Sequence, residues 1–258
     1  MSGSAQSNTA PAWRAGFSDL ELWRIDLVAA GSALRDVEQA TPRLSAWERE
    51  KALTIADTAV AAEWLAAHVG LRILIERAAG VRWRGMPFER GRGAKPHLKR
   101  APITFSLSHV PGRALIGLSR NNLIGVDLER TRPVRVRPPR RASIEFVAGA
   151  LNTRQPLPVS VDARFLQSWV RLEALAKADG RGIGRLLTQL GIVGGADDER
   201  DVLVARLDKV TATVPPFVIW DLSVGDGLFA AAALPAASPI PEIFALPESA
   251  EGLDGLVS

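Results

Sequence analysis

The chain has 258 residues, 47% of them hydrophobic, with a formal net charge of +4 at pH 7. That length and composition can bury a sizeable core, as one large domain or two smaller ones. Cysteine is absent, which excludes disulfides, thiolate metal ligands and cysteine nucleophiles.

The opening M-S-G-S-A-Q-S-N-T-A-P-A has neither a charged n-region nor an apolar h-region. No secretory signal is read there, and residues 1–14 are expected to be a disordered leader. No apolar run is read as long enough to span a bilayer, so no membrane partner is expected and a cytoplasmic location is the default. Residues 20–28 read as a strand. Residues 44–79 read as one or two helices with Trp64, Ala67, His68 and Leu71 on an apolar stripe. On that stripe His68 reads as a packed core histidine. His97, between Lys95 and Lys99, reads as a surface residue.

Three strands are expected next. In F-S-L-S-H-V (105–110), Phe105 and Leu107 alternate with Ser106 and Ser108, the period of a half-buried strand. Pro111-Gly112 turns the chain, Ala114 to Leu118 forms a second apolar run, and I-G-V-D-L-E (124–129) a third. Asp127 and Glu129 lie two apart, so both leave one face of the sheet while Leu128 points the other way. Two such carboxylates repel unless a cation sits between them, and Mg²⁺ takes one or two carboxylates together with phosphates and waters. The plain alternative is a solvated acidic strand end.

Residues 130–141, R-T-R-P-V-R-V-R-P-P-R-R, hold six arginines and three prolines without an acid. The prolines forbid a regular helix there. The segment reads as a solvated, mobile loop or as a docking surface for an acidic partner. Nucleic acid is the weaker choice of partner, since no recognised motif or aromatic platform accompanies the charge.

Helices are expected around 142–151 and 163–179. In the second, Phe165, Leu166, Trp169, Leu172 and Ala176 recur at helical spacing, with Gly180 as the stop. Glu173 and Lys177, four apart, share a face; alone, such a pair is an ordinary surface ion pair. The backbone of G-R-G-I-G (180–184) after it allows close approach to a ligand. Strands are expected near 201–206, 217–222 and 227–234, the last two a hairpin around V-G-D-G. The tail from 237 to 258 reads as loosely held.

Taken together, these segments resemble a family, the 4′-phosphopantetheinyl transferases that act on carrier proteins of peptide, polyketide and siderophore synthesis. That family carries S-H, then G-V-D-x-E, then W-x-x-K-E-A-x-x-K and a glycine-containing turn. Ser108-His109, Asp127 and Glu129, and Trp169, Glu173, Ala174 and Lys177 match it, and the upstream G-K-P survives as A-K-P (94–96). The looser likeness runs from about Leu20 to Leu234. Lysine usage agrees: only Lys51, Lys95, Lys99, Lys177 and Lys209 are lysine among 32 basic residues, yet two fall at motif positions.

The resemblance implies an α+β fold of two similar halves in a pseudo-twofold arrangement, 15–121 and 122–236, with a boundary near Asn121-Asn122. It implies Mg²⁺ held by Asp127, Glu129 and Glu173, with Glu173 and Lys177 catalytic. Coenzyme A would be bound by Lys95, Ser108, His109 and Lys177. The partner implied is an acidic acyl or peptidyl carrier protein, and the enzyme is expected to be a monomer. Two departures stand out. Leu172 replaces the family's lysine before the glutamate. Glu63 and Glu48 fall at usually basic positions, with Glu63 placed at the 3′-phosphate of coenzyme A. These departures leave open a catalytically impaired relative that binds carrier protein or nucleotide without transfer.

Overall fold

The alternation in L-E-L-W-R-I-D makes β1 (Leu20–Asp26) a strand whose two faces are both covered. Trp23 and Ile25 face one apolar cluster and Leu22 another. The computed structural model to which it belongs describes residues 19–89, 95–120, 123–193, 200–212, 216–238 and 241–258. The expected leader and the boundary at Asn121-Asn122 lie outside those residues.

After β1 come α1 (Gly31–Ala40), α2 (Ala46–Leu53) and α3 (Thr58–Ala79), then a 3₁₀ turn at Val81–Trp83. Strands β2 (Thr104–Val110), β3 (Arg113–Ser119) and β4 (Gly125–Arg130) follow. The chain continues through α4 (Pro138–Ala150), α5 (Val161–Asp179), α6 (Ile183–Gln189) and α7 (Arg200–Thr211). It closes with β5 (Phe217–Asp221), β6 (Leu228–Pro235), β7 (Ile243–Ala245) and α8 (Ala250–Gly255).

The described strands form two sheets in a mixed α+β architecture. One runs β2-β3-β1-β7, the other β4-β6-β5. In each, the later hairpin strand (β3 or β6) is central and pairs antiparallel with both the strand that opens that stretch of chain and its own hairpin partner. A first core lies between the β1 sheet and helices α1 and α3; a second lies between the β4 sheet and α4, α5 and α7. A third joins Leu22 and Leu115 of one sheet to Val126, Leu128, Ala230 and Ala232 of the other, so the sheets also pack on each other.

Helix α3 begins under the Asp57 carboxylate, which accepts from the N–H groups of Ala59 and Val60. Among the described helices it alone is long and apolar enough to cross a membrane by length and composition, a run the expectation above did not include. Here it is the central helix of the first core. It carries Arg72 and Glu76, both buried, which pair with Glu48 at 2.6 Å and with Arg43 at 2.9 Å. Ser45 and Glu48 form a reciprocal cap on α2. Glu48 is thus a buried structural partner, which accounts for an acid where a basic residue was expected.

Several expectations need correction. Residues 201–206 belong to helix α7 rather than a strand; Leu203, Leu207 and Val210 recur at helical spacing and are buried. Pro138 and Pro139 open α4 rather than forbid it, because the first helical positions need no N–H donor. The 130–137 segment is also pinned rather than loose: Val134 and Val136 pack on the second core while Arg135 and Arg137 are exposed.

The tail is not loosely held. β7 pairs in parallel with β1, matching Ile243 to Leu22. Phe244 packs on Trp23 with ring centroids 5.1 Å apart. Leu253 of α8 is fully buried in the first core. Isolated apolar residues among Pro, Ala and Glu hid this, because three residues of strand give too short a period to read.

Candidate functional site

The two sheets meet where β2 runs beside β4, and serines hold that seam. Ser106 Oγ accepts from the Val126 N–H at 3.0 Å, and Ser108 Oγ from the Leu128 N–H at 3.3 Å. Ser108 also donates to Asp127 Oδ1 at 2.7 Å. Ser108 was expected at the coenzyme A site; here its hydroxyl orients a carboxylate.

Asp127 is buried, and Glu129 follows it on the face covered by α5. The helix can come so near because residue 125 is glycine: a Cβ there would lie 1.9 Å from the Ala174 carbonyl oxygen. This approach brings Lys177 Nζ to 2.7 Å from Asp127 Oδ1 and 3.8 Å from Glu173 Oε1. The expected neighbourhood of Asp127, Glu173 and Lys177 is therefore present. Glu129 sits further out, with Arg132 at 3.4 Å.

Charge in this cluster is unbalanced. Burial pushes the Glu173 carboxyl above its ordinary value, and the Asp127 and Glu129 charges push the same way against Lys177. Among the described residues no three His, Asp or Glu side chains converge as a ready-made metal-ligand set.

Lys95 lies across from α5. It is half-buried, its ammonium donates to the Ile124 carbonyl, and desolvation followed by the nearby Lys177 charge lowers its pKa to about 7. His109 is held below its usual value, first by burial and then by Lys177, with Glu63 opposing.

Lys95, His109, Glu173 and Lys177 line one cleft of about 500 Å³, within the range of small-molecule sites. Its opposite wall comes from α2 and α3: Trp47, Lys51, Trp64, His68 and Leu71, with Phe88 beside them. Gly180 and Gly182, both at positive φ, bring the exit of α5 to the rim. The second of these backbone turns favours glycine because a Cβ is strained there.

Several lining residues were not expected. Lys51 had a signal, since lysine is scarce and three of the five line this one cleft. Trp64 and His68 were read as core because an i, i+4 aromatic pair on an apolar stripe looks the same either way. His68 is indeed buried, but it also faces the cleft, stacked on Trp64 at 3.6 Å between ring centroids. His97 is exposed, as expected, beside Glu89.

Neither departure lines the cleft. Glu63 accepts from the Gly112 N–H at 2.8 Å and lines a separate groove between α1 and α3. Its placement at a phosphate pocket is a correction: the carboxylate ties α3 to the β2–β3 turn. Leu172 is fully buried in the second core, so it vacates no position in the cleft.

No family model matches the chain, and no curated protein is significantly similar to it.

Proposed function

We propose that the chain is a 4′-phosphopantetheinyl transferase, moving phosphopantetheine from coenzyme A to a serine of a carrier protein. The observation that carries this reading is the meeting of Lys95, His109 and Lys177 in one cleft with Glu173, directly beside Asp127. Cations on that wall suit a pyrophosphate, and carboxylates next to them suit a divalent cation and a proton acceptor. The matching strand order of the two sheets supports reading the fold as two halves in a pseudo-twofold arrangement.

The residues present fit Mg²⁺. Asp127 and Glu129 offer hard oxygens on one face, and Glu173, raised first by burial and then by the Asp127 charge, adds a third carboxyl beside them. An all-protein cage is not required, because Mg²⁺ takes one or two carboxylates with phosphate oxygens and waters. Asp127, Glu129 and Glu173 would hold the ion, which when bound supplies Lewis-acid stabilisation of the pyrophosphate.

The chain's own residues do the rest. Lys95 and His109 bind the pyrophosphate, and Lys177 neutralises charge developing on the transferred phosphate. Glu173 takes the proton of the carrier serine, a role suited to a carboxyl shifted toward neutrality. The serine oxygen forms a bond to the phosphorus bearing pantetheine. The bond from that phosphorus to the bridging oxygen breaks, and adenosine 3′,5′-bisphosphate leaves. The exposed arginines of 132–140 give an acidic carrier a place to dock. A cytoplasmic monomer is the setting that we infer for this reaction.

The test is mass spectrometry of an apo carrier protein incubated with this protein, coenzyme A and Mg²⁺. The expected result is one added phosphopantetheine on the carrier serine. No mass change across acidic carriers, with coenzyme A binding intact, would favour the binding-only relative.

A further inference from the structure

The two walls of the cleft differ in chemistry. One side carries Lys95 from the segment before β2, His109 of β2 and Lys177 of α5; the other carries Trp47 of α2 and Trp64 and His68 of α3. Lys51 is the one fixed cation that the described residues of α2 and α3 place on the lining. The other charges nearby on those helices are engaged elsewhere. Glu48 and Arg72 neutralise each other in the interior, and Glu63 binds the Gly112 N–H.

The aromatic wall is preorganised. His68 Nδ1 lies 2.9 Å from the Trp64 carbonyl oxygen, and its ring stacks on the Trp64 indole with the planes 24° apart. One face of Trp64 is therefore backed by a buried ring. Trp47 stands 6.3 Å from Trp64 at 57° and is 41% exposed, so the pair forms an angled platform rather than a closed stack. Such a surface suits a planar ring. A base stacked on an aromatic side chain gains about tenfold or more in affinity, whereas an exposed phosphate beside a single exposed lysine gains little.

Building on the transferase reading, we propose that Trp64 sets donor specificity by stacking the adenine of a nucleoside 5′-diphosphate, and that the 3′-phosphate of coenzyme A adds little. The 3′-dephospho form then serves as well as coenzyme A. Transfer from it forms the same serine–phosphorus bond and breaks the same phosphorus–oxygen bond, the serine proton going to Glu173. The leaving group is adenosine 5′-monophosphate.

Calorimetry with pyrophosphate, ADP, coenzyme A and 3′-dephospho-coenzyme A on the wild type, Trp64→Ala and Trp64→Phe decides this. Coenzyme A and its dephospho form should bind within about twofold of each other, and ADP about tenfold more tightly than pyrophosphate. Trp64→Ala should weaken all three adenine ligands about tenfold and leave pyrophosphate unchanged, while Trp64→Phe, which keeps a ring, should recover most of the loss. Coenzyme A binding about tenfold or more tightly than its dephospho form would overturn the proposal. So would a Trp64→Ala loss shared equally by pyrophosphate, which would mean a collapsed cleft. Trp64-dependent ADP binding without transfer to any carrier would sustain the stacking platform and sink the transferase reading instead.

Discussion

A Cβ on Gly125 would lie 1.9 Å from the carbonyl oxygen of Ala174 and 2.5 Å from the Ala178 nitrogen. Both are backbone atoms of α5, so no side chain can swing aside. The contact sets the height of α5 over β4 and with it the distance from Lys177 to Asp127. Gly125→Ala should therefore cost about 1–3 kcal/mol or more of stability, as overpacking against unyielding atoms does. It should also reduce transfer beyond what partial unfolding explains. Denaturant titration and turnover below the unfolding transition check both.

Glu173 illustrates a site residue whose charge is unfavourable to the resting fold. Its carboxyl is raised, first by burial and then by Asp127. A raised acid binds its proton more tightly when folded, so stability falls as pH rises from the unfolded pKa through the folded one. At neutral pH, without metal, Glu173→Gln should leave the melting temperature unchanged or raise it. The same change should lower turnover roughly 10²–10⁴-fold, with coenzyme A affinity nearly intact. Retained turnover would return Glu173 and Lys177 to an ordinary surface pair.

Asp127 differs because it is buried and its Oδ1 accepts from both Ser108 and Lys177, at 2.7 Å each. Asp127→Asn keeps its shape and an oxygen for Ser108 while removing the charge. Transfer should be abolished and the circular dichroism spectrum retained. Full activity at limiting Mg²⁺ would show that the ion is held elsewhere.

Lys95 gives the clearest pH dependence. Its pKa of about 7 lies far below the usual 10.5 because burial, then Lys177, disfavours the charged form. His109, also lowered, is neutral above its usual range and adds no cation there. Pyrophosphate affinity should hold below pH 7 and fall above it, by up to ~10-fold per pH unit where binding requires the charged lysine. Lys95→Arg, permanently charged, should flatten that profile, whereas an identical profile in the variant would assign the titration to Glu173 or another group. Folding shows the opposite trend: the unfolded chain binds the extra proton between pH 7 and 10.5, so stability rises across that window.

The proximity of Asp127, Glu173 and Lys177 had a local signal in the sequence, because each sits in a strong pattern. Asp127 and Glu129 fall on an alternating strand, and Glu173 and Lys177 on a helix with clear periodicity. What joins them was not legible. The seam bonds of Ser106 and Ser108 and the closeness of α5 at Gly125 depend on strands about twenty residues apart and a helix about fifty. The aromatic wall was hidden because Trp64 and His68 satisfy a core pattern and a cleft pattern at once. The Glu63 placement failed because its partner is a backbone N–H in a turn, which no side-chain pattern encodes. α7 was misread as a strand because the short window 201–206 misses the helical recurrence that Leu207 and Val210 complete.

The arginine segment after β4 is the last feature with a direct consequence. Val134 and Val136 anchor it to the second core, and Arg135, Arg137 and Arg140 are exposed. It leaves the strand that carries Asp127 and Glu129, so a carrier docked on it would bring its serine near the cleft. Exposed charges of this kind act chiefly on encounter rate and are screened over about 8–10 Å at physiological salt. Replacing Arg135, Arg137 and Arg140 together by alanine should raise the KM for an acidic carrier severalfold and leave kcat and coenzyme A affinity nearly unchanged. The salt dependence of kcat/KM should become shallower in the same variant. All three side chains are on the surface, so the melting temperature should move little, as surface substitutions usually do. A fall in kcat with unchanged KM, or an unaltered salt dependence, would place carrier docking on another face of the molecule.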